Sequence, residues 1–107
     1  MKSKTLIQGA IVLGSLTLGG AALAAGPSAS MLANTCAGCH GTDGSSHGPA
    51  TPTIAGIKAE YFIETMQAYK DGTRPATIMD RIAKGYSEDE IKLMAGFFAE
   101  QKFVRIE

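Results

Sequence analysis

Between residues 87 and 101 the apolar side chains Ile91, Met94, Ala95 and Phe98 recur at the three- and four-residue spacing of one helix face, while Glu88, Asp89, Lys92 and Glu100 fall off that stripe. Ser87 followed three residues later by Glu90 is a capping-box signal, so the pattern predicts a helix over 87–101. A second amphipathic stretch runs over 58–70, with Tyr61, Phe62, Thr65, Met66 and Tyr69 on one side and Glu60, Glu64 and Gln67 elsewhere; Gly72 just beyond it supplies a stop. A third, shorter helix is predicted over 30–39, with a cap at Ser28 or Ser30 and Met31, Leu32 and Thr35 as its inward candidates. Residues 41–56 are rich in Gly, Ser, Thr and Pro, and no run alternates as a strand would. The expected fold is all-α, with three main helices and one long loop.

The first residues carry a different pattern. Lys2 and Lys4 precede a mostly apolar stretch from Leu6 to Leu23 that Gly14, Gly19 and Gly20 interrupt, and Ala22-Leu23-Ala24 places small residues at −3 and −1 of a cleavage site. Residues 1–24 are therefore expected to be a secretory signal peptide, cut after Ala24. The glycines and the Ala-rich end fit cleavage better than a retained membrane anchor, and no cysteine follows the cut to take a lipid. Residues 25–107 then form one domain, not membrane-spanning once the leader is removed. Losing Lys2 and Lys4 from a chain with ten Lys+Arg and ten Asp+Glu leaves it slightly acidic. With no basic run, it has no electrostatic footprint for nucleic acid. A domain of roughly 80 residues is marginal unless a staple, metal or cofactor completes its core.

Both cysteines of the chain fall in Cys36-Ala37-Gly38-Cys39-His40, at the end of the first helix. C-x-x-C-H reads as covalent attachment of one haem c. Thiols three residues apart on a helical turn face the same way and can each add to one vinyl group of a single porphyrin, and the next residue, His40, is delivered to ligate the iron. Three rivals explain less. A thioredoxin-like dithiol wants a βαβ context that is missing here. A zinc site of Cys36, Cys39, His40 and His47 does not match finger spacings, and a plain disulfide leaves His40 without a role.

The second axial position of an electron carrier favours a methionine thioether, which stabilises ferrous iron. Met66 and Met94 lie on the apolar stripes of their helices, and Met31 is too near the attachment motif to cross to the other haem face. Met79 follows Pro75 between two helices, where a loop could wrap the ring, and is the expected ligand; His47, in a polar loop, reads better as a surface residue. A ligating histidine normally donates its other ring N–H to an acceptor. The carbonyl of Pro52 is the expected partner, with Pro49 as the alternative and Ile54 packing on the haem.

Cys36 to His40, Pro52-Thr53-Ile54-Ala55-Gly56, the helix and turn from Lys58 to Arg74, Met79, and Ile82-Ala83-Lys84-Gly85-Tyr86-Ser87 together resemble the class I c-type cytochromes of the bacterial monohaem kind. More narrowly, the segments Met31 to Thr42 and Thr77 to Ser87 are similar to the cytochrome subunits of flavocytochrome c sulfide dehydrogenases. That resemblance implies a small class I cytochrome c fold wrapped around one haem, a periplasmic location, and a partner flavoprotein subunit carrying FAD. The flavoprotein would oxidise sulfide, and this chain would accept its electrons without being an enzyme by itself. Well-known members carry two haem domains, whereas one attachment motif is present here. A freely diffusing monohaem cytochrome c, shuttling between respiratory or photosynthetic complexes, is the alternative.

Overall fold

A computed structural model describes residues 25–103 and 105. The expected leader, residues 1–24, lies outside the described residues. Within them the chain is helical and without strands: α1 (Ala29–Asn34), α2 (Ala37–His40), a 3-10 turn at Thr42–Gly44, α3 (Ala59–Lys70), α4 (Met79–Ala83) and α5 (Glu88–Glu100). No described helix is long and apolar enough to cross a membrane.

The three expected helices are present, and the first is broken in two. Ser28 caps α1 by accepting from the Met31 N–H at 3.2 Å. The Thr35 hydroxyl then donates to Leu32 O at 2.6 Å, and the Thr35 and Cys36 N–H groups bond three residues back, to Leu32 O and Ala33 O. A hydroxyl competing for a helix carbonyl disturbs the regular ladder. The ordinary pattern resumes when His40 N–H reaches Cys36 O at 2.9 Å. Of the expected inward residues of α1 only Leu32 is buried; Met31 is 65% exposed and Thr35 is exposed, while Ala33 takes the core position. A six-residue helix has room for one inward-facing pair, and Leu32-Ala33 fills it.

The sequence pattern did not disclose α4. Its five residues are too few for a hydrophobic period to emerge, and Met79, expected in a loop, is its first residue. Ile78 O starts the helix by accepting from Arg81 N–H at 3.0 Å and Ile82 N–H at 3.2 Å. The completely buried Ala83 lets α4 lie close against α3.

The core is one cluster around α5. Ile91, Met94, Ala95 and Phe98 are essentially fully buried and meet Leu32 and Ala33 of α1, Phe62 and Met66 of α3, and Ala83 of α4. Burying each large member contributes about 1.5–3 kcal/mol. Phe98 packs on the ring of Phe62 with centroids 5.6 Å apart, and Phe97 meets it edge-on at 5.4 Å. The capping box is present in full: Ser87 Oγ accepts from Glu90 N–H at 3.2 Å and Glu90 Oε2 accepts from Ser87 N–H at 2.8 Å.

The long loop is fastened at one atom. Gly44 O accepts from Ile54 N–H at 2.8 Å, Ala55 N–H at 3.1 Å and Thr53 Oγ1 at 2.7 Å. Gly44 itself has φ +80°, and a Cβ there would lie 2.7 Å from Ile54 and 3.0 Å from Phe98. Only glycine allows the turn to press this closely onto the core. Gly56 N–H adds a bond to Phe98 O at 2.8 Å, tying the far end of the loop to α5.

Candidate functional site

Cys36, Cys39, His40, Pro52, Ile54 and Met79, the residues expected to form the site, line one cavity of about 530 Å³, within the range of small-molecule and cofactor sites. Cys36, Cys39 and His40 reach it from the α1–α2 segment, Pro52 and Ile54 from the fastened loop, and Met79 from the start of α4. The α3 face supplies Tyr61, Phe62, Thr65, Met66 and Tyr69, and Ile57, Ile78 and Ile82 add apolar surface.

The imidazole is oriented by the chain. His40 is buried, and its Nδ1 lies 2.7 Å from Pro52 O. A carbonyl oxygen only accepts, so Nδ1 carries the proton and Nε2 keeps a free lone pair, the arrangement of a metal-ligating histidine. Pro49, the other candidate acceptor, is absent from the cavity wall. The loop thus holds His40 through the same segment that Gly44 fastens.

The two cysteines are free thiols, Cys36 half-buried and Cys39 exposed. Burial pushes the Cys36 thiol up, against a smaller opposing hydrogen bond from Thr35, and the neighbouring Cys39 pushes the same way as burial. A redox-active dithiol needs a cysteine with a lowered pKa, and burial pushes Cys36 the other way. The Thr35 hydroxyl also meets Tyr86 Oη, joining the attachment segment to the α4–α5 turn.

Two of the four candidate methionines reach the cavity, Met66 and Met79. Met66 is 4% exposed and belongs to the core cluster, whereas Met79 is only partly buried and packs against that cluster from outside. Met94 is fully buried away from the wall and Met31 faces outward. His47 does not line this cavity; it lies in a more open concavity of about 610 Å³ that shares Cys39, Ala50 and Thr51 with the first, and its ring is 6.0 Å from that of Phe103.

The periodicity of α3 disguised a polar feature. Tyr61, Thr65 and Tyr69, at i, i+4 and i+8, bring three hydroxyl-bearing side chains to the cavity wall, and Arg74 joins them from the turn that follows. Thr65 Oγ1 is buried without a hydrogen-bond partner among the described residues. A row of hydroxyls at helical spacing was the available signal.

Two thiols at i and i+3, an imidazole held with Nε2 free, a thioether and a largely apolar wall fit a haem, and the buried, unpartnered hydroxyl of Thr65 fits a cavity whose polar complement comes from a bound group. All-helical folding around such a site defines a haem-binding electron-transfer class. Residues 24–101 match the family described as Cytochrome c, and the chain belongs to that family. The family binds haem c covalently, and the single pair Cys36 and Cys39 fits one haem.

Among curated relatives, the chain is 46% identical over 68 residues to the cytochrome subunit of sulfide dehydrogenase from Chlorobaculum tepidum, covering 64% of this chain and 61% of that protein. It is 37% identical over 71 residues to cytochrome c-554(548) of Halomonas halodenitrificans, covering 64% of this chain and 86% of that protein. Cytochrome c4 of Pseudomonas aeruginosa is 38% identical over 91 residues, which are 81% of this chain and 45% of that protein. The match thus spans less than two thirds of the first and third relatives and most of the second.

Proposed function

We propose that this chain is a periplasmic one-electron carrier in which Cys36 and Cys39 are thioether-linked to haem c, His40 and Met79 are the axial ligands, and an FAD-containing sulfide dehydrogenase flavoprotein is the electron donor. The observation that carries the proposal is the convergence of both thiols, the Nδ1-protonated His40 and Met79 on one mostly apolar cavity. When bound, the haem iron supplies a couple that changes by one electron with its ligands in place. The protein does the rest. Pro52 O keeps the His40 ring from rotating, so little rearranges between redox states. Ile54, Ile57, Phe62 and Ile82 exclude water, and the soft Met79 thioether favours the reduced state. Residues 1–24 act as the export signal that takes the chain to the periplasm.

The flavoprotein assignment rests on the 46% identity to a sulfide dehydrogenase cytochrome subunit. A freely diffusing carrier is the second reading, favoured by the match over 86% of cytochrome c-554(548), a relative of single-unit length. Untagged expression in the native host followed by mild fractionation separates them. Co-elution of the haem absorbance with a yellow FAD protein is expected; a haem-bearing monomer that elutes alone at micromolar concentration overturns the subunit reading and leaves the free carrier.

A further inference from the structure

The chain reaches Met79 along a segment that gives it little hold. Residues 75–78 are exposed, and among the described residues their backbone groups bond to no other element. α4 itself has five residues, far below the length at which a helix stands on its own hydrogen bonds. It closes in tight three-residue turns, Gly85 N–H to Ile82 O at 3.0 Å and Tyr86 N–H to Ala83 O at 3.2 Å. The hold comes at the exit. Tyr86, half-buried, is bonded in two directions: its Oη meets the Thr35 hydroxyl, and its backbone carbonyl accepts from Nζ of Lys70, the last residue of α3. Thr35 spends its one proton on Leu32 O, so the phenol donates and Thr35 Oγ1 accepts. The Lys70 ammonium makes no ion pair among the described residues, where the salt bridge joins Lys92 and Asp89, and a charged donor makes the stronger kind of hydrogen bond.

Thr35 directly precedes Cys36, and Tyr86 lies three residues beyond the helix that Met79 begins. One side-chain contact therefore joins the segment that would be fastened to haem through a thioether to the segment that would supply its methionine ligand. We propose that Tyr86 is the positioning residue for Met79: bonded to Thr35 and to Lys70, it fixes the far end of α4 and keeps the thioether at the iron. The proposal rests on the haem and Met79 assignments above. A neutral thioether is retained only while its sulfur stays close, and pinning the segment that carries it raises its effective concentration without any new contact to the metal. The same pin acts on packing. Met79 and Ile82, at i and i+3 of one helix face, line the cavity, and the next residue, Ala83, is completely buried. Freed at its exit, α4 could carry all three away together.

The test uses the exported, haem-loaded protein and its Tyr86→Phe, Lys70→Met and Ile91→Val variants, with covalent haem verified by mass. Ile91→Val loosens the core away from the pin and serves as the control for general softening. At saturating cyanide the ferric protein takes up ligand at the rate at which the thioether departs, and that limiting rate is read beside the denaturation midpoint. Tyr86→Phe is expected to raise the rate about two- to tenfold, the range of one net hydrogen bond, and Lys70→Met about tenfold. Ile91→Val should lower the midpoint and leave the rate close to that of the parent. An unchanged rate in Tyr86→Phe overturns the proposal, and so does an equal acceleration in Ile91→Val. Should Tyr86→Phe not mature, Lys70→Met decides alone, and no acceleration in it overturns the pin. A parent protein that binds cyanide without a limiting rate, or one exported without haem mass, would instead refute the Met79 or the haem assignment, outcomes separable from failure of the pin.

Discussion

Met66 and Met79 share a cavity wall but answer to different forces. Met66 is locked among Phe62 and the α5 side chains, and truncating it to alanine should cost about 2–5 kcal/mol of stability while leaving the ligand field of the iron intact. Met79→Ala should do the reverse: a modest loss of stability, disappearance of the thioether-ligated spectrum, and ready binding of carbon monoxide or cyanide by a protein that otherwise resists them. If Met66→Ala opens the iron and Met79→Ala leaves the spectrum unchanged, the axial assignment passes to Met66. Gly44 makes the other residue-scale prediction. Alanine there meets a left-handed backbone costing about 1–2 kcal/mol and an overlap with Ile54 and Phe98. The denaturation midpoint should fall by more than the backbone term alone, and the displaced loop should loosen the Pro52 carbonyl from His40. That loosening would be read as a changed His40 ring orientation in the haem-methyl NMR pattern.

Helices in this chain differ in how far each is specified locally. The first turn of α5 is written into adjacent residues, since Ser87 and Glu90 exchange two hydrogen bonds across three positions. Ser87→Ala should cost about 1 kcal/mol and lower Tm by about 4–8 °C, the response of a domain of roughly this size. A drop of less than a degree would mean that burial of Ile91, Met94 and Phe98 holds the helix end without its cap. α3 was equally visible from its stripe and its Gly72 stop, but the stripe concealed that Tyr61, Thr65 and Tyr69 line a cavity. α1 and α2 read as one helix because nothing in the local pattern says that Thr35 will spend its hydroxyl on Leu32 O. α4 escaped notice because it is only five residues long and rests against α3 with Ala83 completely buried, packing that lies outside its own sequence.

For the molecule as a whole, the expected leader and single attachment pair combine into one measurable mass. Protein recovered from the periplasm of a maturation-competent host should weigh as residues 25–107 plus one haem. A retained leader would overturn the expected cleavage after Ala24, and two haems or none would overturn the one-site assignment. The core is small and its largest buried members converge on α5, while α3 and α4 also form walls of the cavity. Attachment of the cofactor should therefore raise the cooperativity of unfolding as well as its midpoint.

Chemistry carried by neighbouring residues was readable before any folding: the thiols three apart with a histidine next to them, the caps, the two long amphipathic stripes and the helical class. These depend on separations of a few residues, which helical geometry converts directly into proximity. Setting Pro52 O 2.7 Å from His40 Nδ1, as the sequence led one to expect, bringing Met66 as well as Met79 to the wall, turning Met31 outward, and standing Arg74 over the Tyr69 ring are the work of the folded chain. Each depends on where a loop is fastened or how one helix leans on another. The loop that carries Pro52 is placed by the three bonds to Gly44 O and the turn that carries Arg74 by the bonds of Thr73 and Arg74 N–H to Ala68 O, and no periodicity along the chain encodes either.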